Sequence, residues 1–361
     1  MRIAQIAPLA ESVPPRLYGG TERIVSFLTE ELVRQGHDVT LFASGDSVTT
    51  ARLVPCCDSA LRLDPTVRDP LPAHLLMLDR VRRRAADFDV LHFHVDLLHY
   101  PIMAAVQART LTTLHGRLDR PEAHGLYAAF DAFPLVSISD HQRLPMPAVR
   151  WAATVHHGLP IDLLPFTERP AGGHLAFLGR ISPEKRPDRA IEIARRAGMP
   201  LKIAAKVDRA DRAYWDEVIE PMIRRNPDVE FVGEIDERAK ARFLGDAAAL
   251  VFPIDWPEPF GLVMIEAMAC GTPVLAFPGG SVPEVIDDGL TGAIVGSIEE
   301  AVAALPRVLT LDRGRIRARF EERFSAERMA RDYVDIYRRL AQVDRPRSVM
   351  RLFGETASMV P

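Results

Sequence analysis

The chain reads as two doubly wound α/β domains in series, facing each other across a cleft. Three observations predict this: short apolar runs alternate with longer helical patterns, the alternation breaks near the middle, and it then starts again. At 361 residues the chain exceeds what one hydrophobic core usually supports, so two domains of ordinary size are the default expectation.

In the first half the strand-like runs are "RIAQIAP", "DVTLFAS", "DVLHFHV", "RTLTTLH", "PLVSIS" and "ATVHHG". Between Ile161 and Gly173 prolines and paired glycines break both periodicities, and the domain junction is placed there. The second half contributes "HLAFLGRI", "LKIAAKV", "VEFVGEI", "ALVFPI", "PVLAFP" and "GAIVG". The expected limits are residues 1–165 for the first domain and 166–325 for the second. An amphipathic helix follows over 326–345, "AERMARDYVDIYRRLAQ" at its heart, placed to pack back across the junction, and a loosely ordered tail closes the chain over 346–361. The duplication is architectural, with no short repeat.

Composition narrows the function. With 47% hydrophobic and 26% charged residues and a net charge of −4, the chain is globular and unsuited to general nucleic-acid binding, so any anion site must be local. Cys56, Cys57 and Cys270 fit neither a disulfide framework nor a zinc spacing, and a reducing cytoplasm is the simplest reading. No signal peptide or membrane-spanning run is expected.

The most informative stretch is "DWPEPFGLVMIEAMACGTPVLAFPGG", Asp255 to Gly280. A proline-rich loop leads into a helical run expected to begin at Phe260 and Gly261 and to end at Gly271. The first helix amides, those of Leu262 and Val263 among them, lack intrahelical partners and make an anion site, and Gly261 lets a ligand approach the backbone. Glu258 precedes this helix end, and Glu266 lies roughly 9 Å along the axis from Phe260 at 1.5 Å per residue. Carboxylates accept hydrogen bonds from neighbouring hydroxyls, so this pair around an anion pocket suits a nucleotide sugar. A helix-capping Glu258 and a solvated Glu266 are the plain alternatives, but the apolar neighbours of Glu266 argue for burial, and a buried carboxylate needs a partner.

"EPFGLVMIE", with its continuation through "GAIV", resembles the Glu-x7-Glu signature of the retaining glycosyltransferases of family 4 (glycosyl transferases group 1), which have the GT-B fold of two Rossmann-like domains. The resemblance implies that Glu266 binds ribose hydroxyls and Glu258 the donor sugar. It further implies that Arg180 and Lys185 in "LGRISPEKRPDRAIEIA" clamp the donor diphosphate, although Arg186 replaces the usual Gly after the Lys. Gly19 and Gly20 are similar to the family's first glycine-rich loop and would set their amides against the donor phosphate or reacting sugar. His115 in "LTTLHGRLD" matches the family's active-site histidine, which the resemblance places against the donor sugar near its hydroxymethyl group, and Glu234 and Ile235 of "VGEID" would meet the nucleobase through backbone.

The activity implied is transfer of a hexose, from UDP-glucose as the donor to test first, to a hydroxyl acceptor by front-face substitution with retention. No cofactor and no metal are expected, with the nucleoside diphosphate sugar as co-substrate and Arg180, Lys185 and the helix amides offsetting its charge. Two rivals are a nucleotide-sugar epimerase of related fold and a non-catalytic sugar-binding protein. The acceptor should be read by first-domain loops, 56–74 and 117–133. His92, His94, His99 and Asp96 tempt a metal reading but lack a recognised spacing, and His156-His157 are expected to shape the junction. Arg80, Arg82, Arg83 and Arg84 form a basic helical face, read as solvated, with peripheral membrane contact left open. The sequence leaves the oligomeric state open.

Overall fold

A computed structural model describes residues 1–16, 19–146 and 149–343, so the tail expected over 346–361 and the last two residues of the helix expected over 326–345 lie outside the described residues. Seven strands build the first sheet: β1 (Arg2–Ile6), β2 (Asp38–Ala43), β3 (Arg52–Pro55), β4 (Val90–Phe93), β5 (Thr110–Thr113), β6 (Leu135–Ser137) and β7 (Trp151–Thr154). Their order is β3-β2-β1-β4-β5-β6-β7, and every pairing is parallel. Six strands build the second: β8 (Leu175–Arg180), β9 (Leu201–Lys206), β10 (Val229–Gly233), β11 (Ala249–Phe252), β12 (Val274–Ala276) and β13 (Gly292–Ile294), in the parallel order β10-β9-β8-β11-β12-β13.

Both orders reverse direction beside the first strand of the sheet, between β1 and β4 and between β8 and β11. Loops leaving adjacent strands there diverge to opposite faces and open a crevice at the carboxyl ends, where ligands of doubly wound sheets bind. The buried strands are near-continuous apolar runs because helices cover both faces. The edge strands β3, β7 and β10 are only partly buried, and the short "RLVP" of β3 gives no apolar run to read. The seventh strand begins at Trp151, two residues ahead of the run that predicts it.

Two chain crossings join the halves, and they pair with each other. Leu159 donates its amide to the Phe324 carbonyl at 2.8 Å, and Ala326 donates to the Leu159 carbonyl at 2.8 Å. Past this bridge the helix Ala326–Val343 returns to the first domain and buries Met329, Tyr333, Tyr337 and Leu340 against Ile3, Ile24, Leu28 and Val90. Arg328 fixes the crossing by donating to the carbonyls of His156 and His157 at 2.8 and 3.0 Å. Among the described residues no helix is long and apolar enough to cross a membrane. Cys56, Cys57 and Cys270 are free thiols.

Candidate active site

A cleft of about 700 Å³ opens between the two sheets, and every residue singled out from the sequence for the donor site lines it. Gly19 and Gly20 come from the loop after β1 and His115 from the end of β5. Arg180 ends β8 and Lys185 follows it, Glu234 and Ile235 follow β10, and Glu258 through Glu266 follow β11. The cleft is therefore assembled from strand ends of both domains.

The helix of the central motif spans Leu262–Ala269, so it starts two residues later than the Phe260 start expected from the sequence. The reason is Gly261, which sits at φ 77° and ψ 67°, a left-handed conformation that interrupts the helix and suits glycine. Phe260 is consequently buried at the domain junction, its ring 4.9 Å from that of His157 and 6.2 Å from that of Phe324. No side chain caps the helix start, which leaves the first amides facing the cleft from the positive end of the helix.

Neither carboxylate is solvated: Glu258 is 8% exposed and Glu266 4%. Glu266 accepts from Lys240 Nζ at 2.6 Å, and Lys240 also reaches Glu237 at 3.3 Å. Glu237 in turn pairs with Arg23 of the first domain, linking the two halves across the cleft. Glu258 pairs with Lys185 and accepts from Trp256 Nε1 at 3.0 Å. Lys185 Nζ lies 4.7 Å from the centroid of the Trp256 ring, which adds a cation–π contact.

Behind Glu258 runs the Gly279–Ser281 turn. The Ser281 amide donates to the Glu258 carbonyl at 2.9 Å and its hydroxyl to the Phe260 carbonyl at 2.7 Å. A Cβ at Gly280, where φ is +58°, would lie 2.0 Å from the Glu258 oxygen. Gly280→Ala is therefore expected to destabilise the protein by roughly 1–3 kcal/mol and to displace Glu258. Urea unfolding checks the first effect, and a wild-type midpoint would contradict it.

Arg186, the departure from the family pattern, keeps the glycine-like backbone at φ 54° and ψ 49°. Its guanidinium is held by Asp188 at 2.7 Å and Asp255 at 2.9 Å, so its charge is turned away onto neighbouring carboxylates. Arg180 is held more loosely, 3.7 Å from Asp208 and 3.9 Å from Glu184, and its buried Nε has no partner. That leaves a guanidinium edge available beside Lys185.

His115 belongs to a buried polar chain. Its Nε2 lies 2.8 Å from His94 Nδ1, its ring stacks at 5.3 Å on that of His157, and its Nδ1 has no protein partner. Burial pushes the His99 and His115 imidazoles down to about 3 and those of His92, His94 and His157 well below the usual value. These rings are neutral when folded but take up protons near pH 6.5 when unfolded, so the unfolded form binds more protons and stability falls as pH drops. Each contributes a slope of up to about 1.4 kcal/mol per pH unit. The urea midpoint is expected to decline between pH 6.5 and 5, above the carboxylate range; a flat profile there would contradict these assignments.

Several lining residues carry no local signal in the sequence. Lys240 meets Glu266 from a helix 26 residues earlier, and only the demand of a buried carboxylate for a cation announces it. Glu11 is buried and paired with Arg62, and burial raises the Glu22 carboxyl, with Glu11 adding to the effect. Arg62, Arg117 and Arg120 bring the segments 56–74 and 117–133 to the cleft, but these are not loops throughout as expected, since helices span Leu71–Arg83 and Pro121–Ala129. A second cavity of about 300 Å³, lined by His74, His94, Asp96 and Leu98, adjoins it at Thr21, His115 and Gly116.

Three of the other histidines singled out from the sequence have hydrogen-bond partners within the fold. His92 bridges Thr113 and Tyr337, His99 bonds Thr112 at 2.8 Å, and His156 bonds Glu284 at 3.1 Å. Among the described residues no group of three or more His, Cys, Asp or Glu side chains could hold a metal ion. On the basic helical face Arg82 and Arg83 share Asp79, Arg84 pairs with Asp87 and Arg80 donates to the Pro55 carbonyl, so its charge is only partly offset.

Two family models match the chain: Glycosyltransferase Family 4 over residues 18–154 and Glycosyl transferases group 1 over residues 171–325. Among curated relatives, the D-inositol 3-phosphate glycosyltransferase of Mycobacterium tuberculosis (strain ATCC 25618 / H37Rv) is 32% identical over 197 residues, covering 50% of this chain and 37% of the relative's length. Sucrose-phosphate synthase from Thermosynechococcus elongatus superposes with a TM-score of 0.74 at 20% identity, over 95% of this chain and 100% of that one. Anabaena HepE in complex with UDP-glucose superposes at 0.67 and 17% identity, over 95% and 99%. At these identities the solved structures establish the fold. Two parallel-sheet domains of this topology, matched in turn by the two halves of one family's signature, mean that the chain belongs to glycosyltransferase family 4 and has the GT-B fold.

Proposed function

We propose that the protein is a retaining glycosyltransferase that moves a hexose from a nucleoside diphosphate sugar to a hydroxyl acceptor, with UDP-glucose as the first donor to test. The observation that carries this reading is the pair of buried carboxylates, Glu258 and Glu266, on either side of an uncapped helix start, each held by a lysine. Glu266 accepts from the ribose hydroxyls and Glu258 from the sugar. Arg180, Lys185 and the amides of Leu262 and Val263 hold the diphosphate, with the Gly19 and Gly20 amides opposite and the base beside Glu234 and Ile235.

In the reaction the bond from the anomeric carbon to the phosphate oxygen breaks as the acceptor oxygen attacks from the same face. The acceptor proton passes to the departing oxygen, and Arg180 and Lys185 offset the charge that develops there without a metal. Glu258, engaged by Lys185 and Trp256, is suited to accepting sugar hydroxyls and not to attacking the anomeric carbon. The acceptor enters over the first-domain loops carrying Arg62, Arg117 and Arg120, beside the smaller cavity. Three free thiols agree with work in the cytoplasm.

The test is incubation with UDP-, GDP- and ADP-glucose and a panel of hydroxyl acceptors, reading nucleoside diphosphate release and the anomeric configuration of the product by NMR. An α-linked product from the α-linked donor is expected. A β-linked product would overturn retention, and an unchanged acceptor with an inverted sugar carbon would favour an epimerase.

A further inference from the structure

The buried polar chain behind His115 has a direction, and one amide sets it. Gln5, the next-to-last residue of β1 and fully buried, turns its Nε2 to the Tyr337 hydroxyl at 3.1 Å and its Oε1 to His94 Nε2 at 2.9 Å. A carboxamide oxygen can only accept, so His94 Nε2 carries the proton. His94 is neutral in its dry surroundings, so its Nδ1 is a bare lone pair. That lone pair lies 2.8 Å from His115 Nε2, which must therefore donate.

On the other side, the amide donates to the Tyr337 oxygen. The Tyr337 proton then goes to His92 Nδ1 at 2.7 Å, and His92 Nε2 donates to Thr113 at 2.7 Å. Thr113 passes its own hydrogen to Tyr333 at 2.9 Å. Tyr333 and Tyr337 belong to the helix Ala326–Val343, so an element 332 residues from Gln5 holds one end of the chain that leads to His115.

We propose that Gln5, whose amide stands between Tyr337 and His94 with Nε2 toward the hydroxyl and Oε1 toward the imidazole, is a positioning residue that holds His115 in the Nε2–H tautomer, so that His115 meets its ligand through Nδ1 as a hydrogen-bond acceptor. The consequence is chemical selectivity. An acceptor nitrogen requires an O–H or N–H from the ligand, which a sugar hydroxyl supplies and an ionised phosphate oxygen does not. The identity of that ligand rests on the donor-sugar reading of His115 given above; the tautomer does not.

The experiment uses full-length protein labelled with ¹⁵N-histidine, without ligand at pH 7, and long-range ¹H–¹⁵N spectra that distinguish protonated from bare ring nitrogens. The His115 signals are those lost in His115→Gln. In the wild type His115 is expected as the Nε2–H form. Tyr337→Phe removes the hydroxyl that holds the amide, so Gln5 can turn over, and the two His115 tautomers are expected in comparable amounts; Gln5→Met should produce the same mixing. A purely structural role for this chain would leave the tautomer unmoved. The proposal is overturned by an Nδ1–H form in the wild type, or by an unchanged tautomer in whichever variant folds. Addition of UDP-, GDP- or ADP-glucose then separates the two readings. A shift of His115 Nδ1 supports its place at the donor, whereas the expected tautomer with no response to any of the three rejects that place and leaves the tautomer standing.

Discussion

Replacing Glu266 with alanine is expected to weaken nucleoside diphosphate binding by about 10- to 100-fold while the protein stays folded. A hydrogen bond to a charged group is worth about 1.5–3 kcal/mol, and about 1.4 kcal/mol is a factor of ten in affinity. Removing one member of a buried ion pair usually costs stability because the other charge is stranded. Here Lys240 retains Glu237 at 3.3 Å, and Glu237 retains Arg23, so the cation is not left unpaired. The affinity loss should therefore exceed the stability loss, which calorimetric titration alongside urea unfolding will show. Lys240→Ala is expected to act in the same direction, and the two losses should not add, because the carboxylate and the ammonium form one unit. Unchanged affinity in Glu266→Ala would remove that residue from the site.

Lys185→Ala should have the larger effect on turnover, lowering kcat by on the order of 10²–10³. Without ligand, Lys185 is paired with Glu258 and lies over Trp256. On the proposed reading, a diphosphate entering the cleft gives the ammonium a second partner and frees Glu258 for the sugar hydroxyls. The substitution removes the charge proposed to stabilise the leaving diphosphate but leaves Glu258 its Trp256 donor at 3.0 Å. The kcat effect should accordingly exceed the KM effect, because the charge on the leaving oxygen develops in the transition state. Arg180→Ala is expected to behave alike, given its unpartnered Nε in the same cleft. A KM change with unaltered kcat in both variants would mean that these cations bind the donor without assisting its departure.

Much of the fold is legible in the sequence because buried parallel strands are continuous apolar runs. "ALVF" and "VLHF" announce β11 and β4 on that ground. β3 is illegible because it is only four residues long, "RLVP", with two apolar residues between an arginine and a proline and with the burial of an edge strand. The helix start was displaced from Phe260 to Leu262 because a single left-handed glycine outweighs the helical character of its neighbours. At the site, the two glutamates and the basic loop lie in contiguous motifs and can be read directly. Lys240 and Arg23 cannot, since they reach Glu266 and Glu237 across long stretches of chain and, for Arg23, from the other domain. The setting of His115 is equally hidden: Gln5, His92, His94 and Tyr337 become neighbours only after the sheet has formed and the C-terminal helix has crossed back over it.

The central claim is that the cleft is the donor site of a nucleotide-sugar-dependent transferase. Isothermal titration of the wild type, Glu266→Ala and Lys185→Ala with UDP, GDP and ADP tests it most directly. Selective binding of one nucleotide to the wild type, weakened in both variants, is the predicted result. Absence of binding by all three nucleotides, or binding indifferent to both substitutions, would contradict the assignment of Glu266 and Lys185 to the donor site.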